Sequence, residues 1–107
     1  MTTNLWVVVP ALNEAENLVV VVPQILVELT LLDVKGHVLV VDDGSTDKTR
    51  EVVGDLAERH TEVRLLSLGR NMGKATALRR GFEQALLEGA EVLVMICLLY
   101  TSDAADE

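Results

Sequence analysis

The chain alternates between short apolar runs and longer segments with helical spacing. The apolar runs are rich in β-branched residues, which favours strands, and the first two contain no polar position and so predict strands buried on both faces. Strands are predicted over residues 5–9, 38–41, 63–68 and 92–96, and helices over residues 15–32, 46–60 and 74–88. This order predicts an α/β fold, a Rossmann-like βαβαβαβ unit with a parallel sheet and helices on its faces.

Local signals refine the helix boundaries. Pro23 lies inside the first helical segment and is expected to kink it or to split off its first turn. Ser45 or Thr46 is predicted to cap the second helix, with Asp47 in its first turn. Gly89 is predicted to end the third helix.

Composition narrows the class of protein. The 107 residues suffice for one small domain, and the apolar half of them suffices for a packed core. Nine Lys and Arg against 17 Asp and Glu give a net charge of −8, and only three residues are aromatic, so we expect no nucleic-acid partner. The longest apolar run, residues 92–100, is too short to span a membrane, and no signal peptide is visible, which predicts a soluble cytoplasmic chain.

Polar residues follow the first three predicted strands, at the edge where open α/β sheets bind ligands. Asp42 and Asp43 end the second strand, and adjacent carboxylates there need partners. Because neighbouring side chains of a strand point to opposite faces, we expect one to serve the structure and the other to face the crevice. There it could accept hydrogen bonds from a nucleobase or a ribose. A turn followed by a helix cap explains the same residues equally well.

Two more segments reach this edge. Asn13 and Glu14 follow the first strand, either as ligand-binding residues or as the N-cap of the next helix. The segment 69–74 is not a P-loop, because three residues rather than four separate its glycines and Ala75 follows the lysine. Gly73 and Lys74 at a helix N-terminus could still bind an anion, although an ordinary surface lysine is the alternative.

Other classes of protein find less support. No Gly-x-Gly-x-x-Gly sequence follows the first strand, as a dinucleotide-binding fold requires. A phosphorylation-receiver domain would carry its acidic pair after the first strand and an acceptor aspartate after the third. His37 and His60 lack metal-ligand spacing and are interpreted as surface or boundary residues.

Three ordered motifs resemble the family 2 glycosyltransferases, in the branch of the dolichyl- and polyprenyl-phosphate sugar transferases. They are residues 8–18, 40–49 and 69–74, and the resemblance covers residues 4–96. It implies the N-terminal part of a GT-A fold and a nucleotide-diphospho-sugar donor, commonly with Mg²⁺ or Mn²⁺. It also implies an acceptor such as a polyprenyl phosphate, with the parent enzyme at the cytoplasmic membrane face.

The resemblance also implies a nucleotide-sugar site. Pro10, Leu12 and Glu14 would line the nucleotide pocket, with Glu14 near the ribose. Val41 and Asp43 match positions that hold the base, Asp43 through a hydrogen bond. The remaining matched motif positions are Asp42, Asn71, Gly73 and Lys74.

The sequence departs from the family after Ile96. The family continues with an Asp-x-Asp motif that binds the metal and the sugar diphosphate, whereas this chain continues with Cys97 and two leucines. Residues 97–107 resemble the translation of a transposon-type sequencing adapter, and a genuine disordered acidic terminus is the alternative. We therefore expect a partial nucleotide-binding domain over residues 1–96, and a non-native tail over residues 97–107. Neither catalytic residues nor metal ligands are expected, and the chain should be inactive alone.

The expected truncation has a consequence for the sheet. In the GT-A order the fourth strand lies inside a larger sheet, so residues 92–96 would here form an open apolar edge that favours association. Two alternatives to the glycosyltransferase interpretation stay open. One is a nucleotide- or phosphate-binding signalling module of flavodoxin-like topology, and the other is a fragment that binds nothing.

Overall fold

Strands and helices alternate along the chain in the order that the sequence predicts. The computed structural model describes residues 2–98. Its elements are β1 (Asn4–Ala11), α1 (Ala15–Leu31), β2 (Lys35–Asp42), α2 (Thr49–Arg59), β3 (Val63–Ser67), α3 (Lys74–Leu87) and β4 (Val92–Met95). The βαβαβαβ prediction is confirmed for this part of the chain.

The strands form one parallel sheet in the order β3-β2-β1-β4. β1 therefore lies inside, paired with β2 from Asn4↔Lys35 to Ala11↔Asp42 and with β4 on its other side. This is the Rossmann order, whereas a flavodoxin-like sheet has the third strand beside the first. The alternative of a flavodoxin-like module is thus wrong.

Helices cover both faces of the sheet. Alternate strand residues such as Val7 and Val40 pack against α1 and α2, while Val8 and Leu39 between them pack on the opposite face, with buried alanines of α3. All four of these side chains are buried, which explains the continuous apolar runs of β1 and β2. The sheet lies between these two layers, and its carboxyl edge carries the loops.

Two predicted helix features are corrected. α1 runs unbroken from Ala15 to Leu31 with Pro23 inside it, so the predicted split of its first turn is wrong, while the alternative of a kink stays a prediction. α2 begins only at Thr49, and Ser45 and Thr46 do not cap it. The hydroxyl of Ser45 and the amide of Thr46 bond instead to Asn13 in the β1–α1 loop. The predicted end of α3 is confirmed, because Gly89 follows its last turn with φ +94°.

The segment after β4 packs on the core, and the amide of Ile96 donates to the carbonyl of Val8 in β1 at 3.1 Å. Ile96 and Leu98 are partly buried and pack against the cluster beneath α1, whereas Cys97 is exposed. The predictions about residues 99–107 lie outside the described residues. Within residues 2–98, each helix is too short or too polar to cross a bilayer.

Candidate nucleotide site

Three loops meet at the carboxyl edge of the sheet. The amide of Asp43 donates to the carbonyl of Ala11 at 2.9 Å, and the amide of Leu68 donates to the carbonyl of Asp42 at 3.0 Å. These bonds extend the ladder of parallel strands by one step into the loops. The β1–α1, β2–α2 and β3–α3 loops are consequently held side by side.

Asp43 anchors the β3–α3 loop. Its buried carboxylate accepts the amide of Met72 at 2.6 Å and the amide of Gly73 at 3.1 Å. Beside it, Gly44 has φ +79°, and a Cβ there would collide with the backbone of Arg70 and Asn71. Asp43 and Gly44 thus position the β3–α3 loop, Asp43 by its hydrogen bonds and Gly44 by allowing close contact. The expected bond from Asp43 to a nucleobase stays a prediction.

Asp42 is fully buried as well. One carboxylate oxygen, Oδ1, accepts the amide of Ser45 at 3.1 Å. The other, Oδ2, has no hydrogen-bond partner among the described residues, and the Nε of Arg50 lies 3.8 Å away. Both neighbouring carboxylates therefore serve the structure, whereas the sequence predicts this of only one.

Glu14 is a third buried carboxylate, and its residue is only 4% exposed. Its Oε1 accepts the side-chain amide of Asn17 at 2.6 Å, and its Oε2 has no hydrogen-bond partner within residues 2–98. A buried carboxylate oxygen without a donor is costly, so such atoms need an explanation. Glu14, just before α1, and Asp42, at the end of β2, each present one such oxygen.

Asn13 ties the β1–α1 loop to the β2–α2 loop. Its backbone has φ +55°, in the left-handed region that asparagine tolerates better than most residues. Its amide donates to the Oγ of Ser45 at 2.9 Å, and its Oδ1 accepts the amide of Thr46 at 2.8 Å. Glu14 occupies the N-cap position of α1, as the alternative interpretation has it, but neither Asn13 nor Glu14 caps the helix with its side chain.

The sequence analysis gave no site role to Asp47 or Thr49, although both connect the same loops. Asp47 accepts the amides of Ala15 and Thr49 at 3.4 and 2.8 Å, and Thr49 accepts the amide of Glu14 at 3.0 Å. Burial raises the pKa of Asp47, but the bonds from Thr49 and Ala15 outweigh it and hold the pKa below 3.8. Asp47 and Thr49 follow the pair Asp42-Asp43 within seven positions, and that closeness in sequence was the signal that could have indicated their role.

The predicted site residues all lie at this edge, but they are not equally accessible. Val41 is fully buried in the core beneath α3, and Pro10 is buried at the end of β1. Leu12 is half-buried. The exposed members are Asn71, Gly73 and Lys74.

A metal ion does not fit the described residues. No three side chains of His, Cys, Asp or Glu within residues 2–98 lie close enough together to hold one. Cys97 and Leu98 supply no carboxylate where the family motif is expected.

Comparisons with known proteins agree with this architecture. The family model of glycosyl transferase family 2 matches residues 6–98. An uncharacterized glycosyltransferase of Synechocystis sp. is 35% identical over 85 residues, which are 79% of this chain and 27% of that protein. An undecaprenyl-phosphate 4-deoxy-4-formamido-L-arabinose transferase of Pectobacterium carotovorum is 35% identical over 86 residues, 78% of this chain and 26% of that protein.

Two further similar proteins are a lipid-phosphate glucosyltransferase by name and a glycosyltransferase of known structure. A dolichyl-phosphate beta-glucosyltransferase of Trichomonas vaginalis is 32% identical over 94 residues, covering 83% of this chain and 27% of that protein. The structure of a mannosyltransferase of Pyrobaculum calidifontis, in complex with GDP-Man and Mn²⁺, matches with a TM-score of 0.62 and 30% identity. That match covers 78% of this chain and 25% of the mannosyltransferase.

The chain thus spans about a quarter of the length of these relatives. The family match, the parallel α/β sheet and the loops at its carboxyl edge lead to one conclusion: this chain belongs to glycosyl transferase family 2.

Proposed function

We propose that the chain is the nucleotide-binding part of a GT-A glycosyltransferase that transfers a sugar from a nucleotide-diphospho-sugar to an acceptor. One observation carries the proposal. Glu14 and Asp42 are buried at the carboxyl edge, and each has a carboxylate oxygen without a hydrogen-bond partner among residues 2–98. Such oxygens are suited to accept the O–H of a ribose or the N–H of a base.

The β3–α3 loop offers the complementary charge for the diphosphate. α3 begins at Lys74 directly after this loop, and no side chain caps it. Amides at a helix N-terminus together with a lysine attract phosphate oxygens. The base and ribose would therefore lie over β1 and β2, with the diphosphate over the start of α3.

The names of the relatives support a donor and an acceptor. The mannosyltransferase was solved with GDP-Man, and two relatives are named for transfer to undecaprenyl phosphate and dolichyl phosphate. For the parent enzyme we infer a lipid-phosphate acceptor at the cytoplasmic face of a membrane.

The metal site and the catalytic base belong, in this proposal, to the part of the parent enzyme that follows Ile96. An Mg²⁺ or Mn²⁺ ion would need carboxylate ligands there, and this chain has Cys97 and Leu98 instead. We therefore expect no sugar transfer above background from the pure chain, with or without Mn²⁺. Measurable turnover in a radiolabelled transfer assay would show that the missing groups are not required.

Calorimetric titration with UDP-linked and GDP-linked sugars tests the binding function. We expect weak binding of one of them, and Asp43→Ala should abolish it, because the substitution releases the amides of Met72 and Gly73 and removes the expected base acceptor. Asp55→Ala is the matched control, since Asp55 lies on the outer face of α2 and is 63% exposed.

Two outcomes would count against this function. Equal affinity of the Asp43→Ala variant would remove Asp43 from the site. Failure of the wild-type chain to bind either class of nucleotide would favour the fragment that binds nothing.

A further inference from the structure

We infer that Asp47 is a positioning residue of the nucleotide site, because its carboxylate joins the N-termini of α1 and α2 and so fixes Glu14. This inference rests on the proposed function, which places the ligand beside Glu14. Asp47 itself is exposed and is not required to touch the ligand.

The carboxylate of Asp47 serves two helices at once. Its Oδ2 accepts the amide of Ala15, the first residue of α1, at 3.4 Å. Its Oδ1 accepts the amide of Thr49, the first residue of α2, at 2.8 Å, and also the hydroxyl of Thr49. Neither residue in the N-cap position, Glu14 or Lys48, makes a side-chain cap bond, so Asp47 supplies the cap to both helices.

Thr49 passes this constraint on to Glu14. The threonine is fully buried, and its Oγ1 accepts the amide of Glu14 at 3.0 Å. Because a hydroxyl has a single proton, accepting from Glu14 leaves that proton for the carboxylate of Asp47. Asp47 therefore orients Thr49, and Thr49 fixes the backbone of Glu14. The Oε2 of Glu14 has no hydrogen-bond partner within residues 2–98.

Electrostatics favour the same arrangement. The N-terminus of each helix carries a partial positive charge, and here two of them face one carboxylate. The bonds from Thr49 and Ala15 hold the pKa of Asp47 below 3.8 despite the opposing effect of burial, so Asp47 is ionised at neutral pH. An ionised group forms the stronger hydrogen bonds to both amides.

Titration of matched variants tests the inference, using the nucleotide sugar that the wild-type chain binds. Asp47→Ala and Thr49→Val should each weaken binding about tenfold, as the loss of a helix cap and its bonds would. Thr49→Ser keeps the hydroxyl and should restore affinity to within about twofold of wild type. Asp55→Asn changes another exposed acidic residue, in α2, and should bind like wild type.

The serine variant separates positioning from general stability. Each titration is made below the unfolding temperature of the variant, measured beforehand by circular dichroism. Wild-type affinity in Asp47→Ala, or a Thr49→Ser variant as weak as Thr49→Val, would overturn the inference.

A measurement without nucleotide distinguishes this failure from failure of the proposed function. Hydrogen exchange at the amides of Glu14 and Ala15 should be faster in Asp47→Ala than in Asp55→Asn. Ala15 loses its acceptor, and the hydroxyl of Thr49, which accepts from Glu14, is no longer oriented by Asp47. Unchanged exchange overturns the arrangement itself. Faster exchange in a chain that binds no nucleotide sugar would instead refute the function and, with it, the positioning role.

Discussion

His37 connects the stability of this chain to pH at the scale of single residues. Its ring stacks on that of Trp6 at a centroid distance of 4.4 Å, and its Nδ1 is buried without a hydrogen-bond partner among residues 2–98. Burial is the main cause that lowers the pKa of His37 from 6.5, and the positive charges of Arg64 and Lys35 add to it. Glu62 and Glu88 oppose the shift without reversing it.

The direction of the pH effect follows from this shift. His37 takes up its proton at higher pH in the unfolded chain than in the folded one. Its contribution to the free energy of unfolding is therefore constant above pH 6.5 and falls as the pH drops from 6.5 to the pKa of the folded state. His37→Gln should remove that slope, whereas His60→Gln should keep it. Urea unfolding followed by Trp6 fluorescence between pH 5 and about 7.5 measures the difference. Identical slopes in wild type and His37→Gln would contradict the assignment.

Strand ends and motif resemblance predict which residues lie at the site. They do not predict which contacts those residues make. Asp42 and Asp43 follow β2, and parallel strands bring their carboxyl ends to one edge. That Asp43 would accept the amides of Met72 and Gly73 depends on how closely two distant loops approach. Strand ends and local motifs alone do not specify that distance.

Two helical glycines allow a matched test at the scale of the element. A Cβ on Gly81 in α3 would lie 2.5 Å from Cγ1 of Val8 and 2.8 Å from Cγ2 of Val41, whereas a Cβ on Gly54 in α2 would meet nothing within 4 Å. Overpacking costs about 1–3 kcal/mol, and alanine gains about 1 kcal/mol over glycine in a helix. Gly81→Ala should therefore lower the free energy of unfolding, and Gly54→Ala should raise it by up to about 1 kcal/mol. Denaturant unfolding of both variants measures the two signs, and a stabilised Gly81→Ala would show that α3 can move away from the sheet.

The elements themselves were predictable where one physical signal dominated. The apolar runs of β1 and β2 identify strands because both of their faces are covered. β2 nevertheless begins at Lys35, three residues before its apolar run, because that segment pairs with the start of β1. The start of α2 was predicted too early, since Ser45 and Thr46 bond to Asn13 across the fold and not to their own helix. Sequence patterns indicate which residues could cap a helix. Here the contact with Asn13, in a loop distant in sequence, determines the hydrogen bonds that Ser45 and Thr46 make.

At the scale of the whole molecule, the two edges of the described sheet differ. β3 carries the exposed Arg64, whereas β4 is entirely apolar, with Val92, Val94 and Met95 exposed by 41%, 36% and 52%. An apolar edge strand without charges or prolines is a template for pairing with another chain. Within residues 2–98, β4 pairs with β1 alone, so this part of the chain has the open edge expected from the sequence.

We expect this chain to form oligomers as its concentration rises. Val94→Lys should reduce association, because a lysine on an edge strand opposes pairing. Val27→Lys is the control, since Val27 lies on α1 and is 60% exposed. Size-exclusion chromatography with light scattering measures the mass, and a wild-type monomer at high concentration would contradict the expectation. If Val94→Lys and Val27→Lys reduced association equally, the cause would be higher solubility in general and not the loss of pairing at the edge of β4.

The inner position of β1 has a consequence for how the chain is made. β1 leaves the ribosome before β2 and can pair with it once residue 42 has emerged, but the other side of β1 stays unpaired until β4 has been made. Asn4 and Glu91, which are bonded to each other at 2.8 Å, lie 87 positions apart. Closing so long a separation is slow compared with the local pairing of β1 and β2. During synthesis, one flank of the central strand therefore stays open until nearly all of the described chain exists.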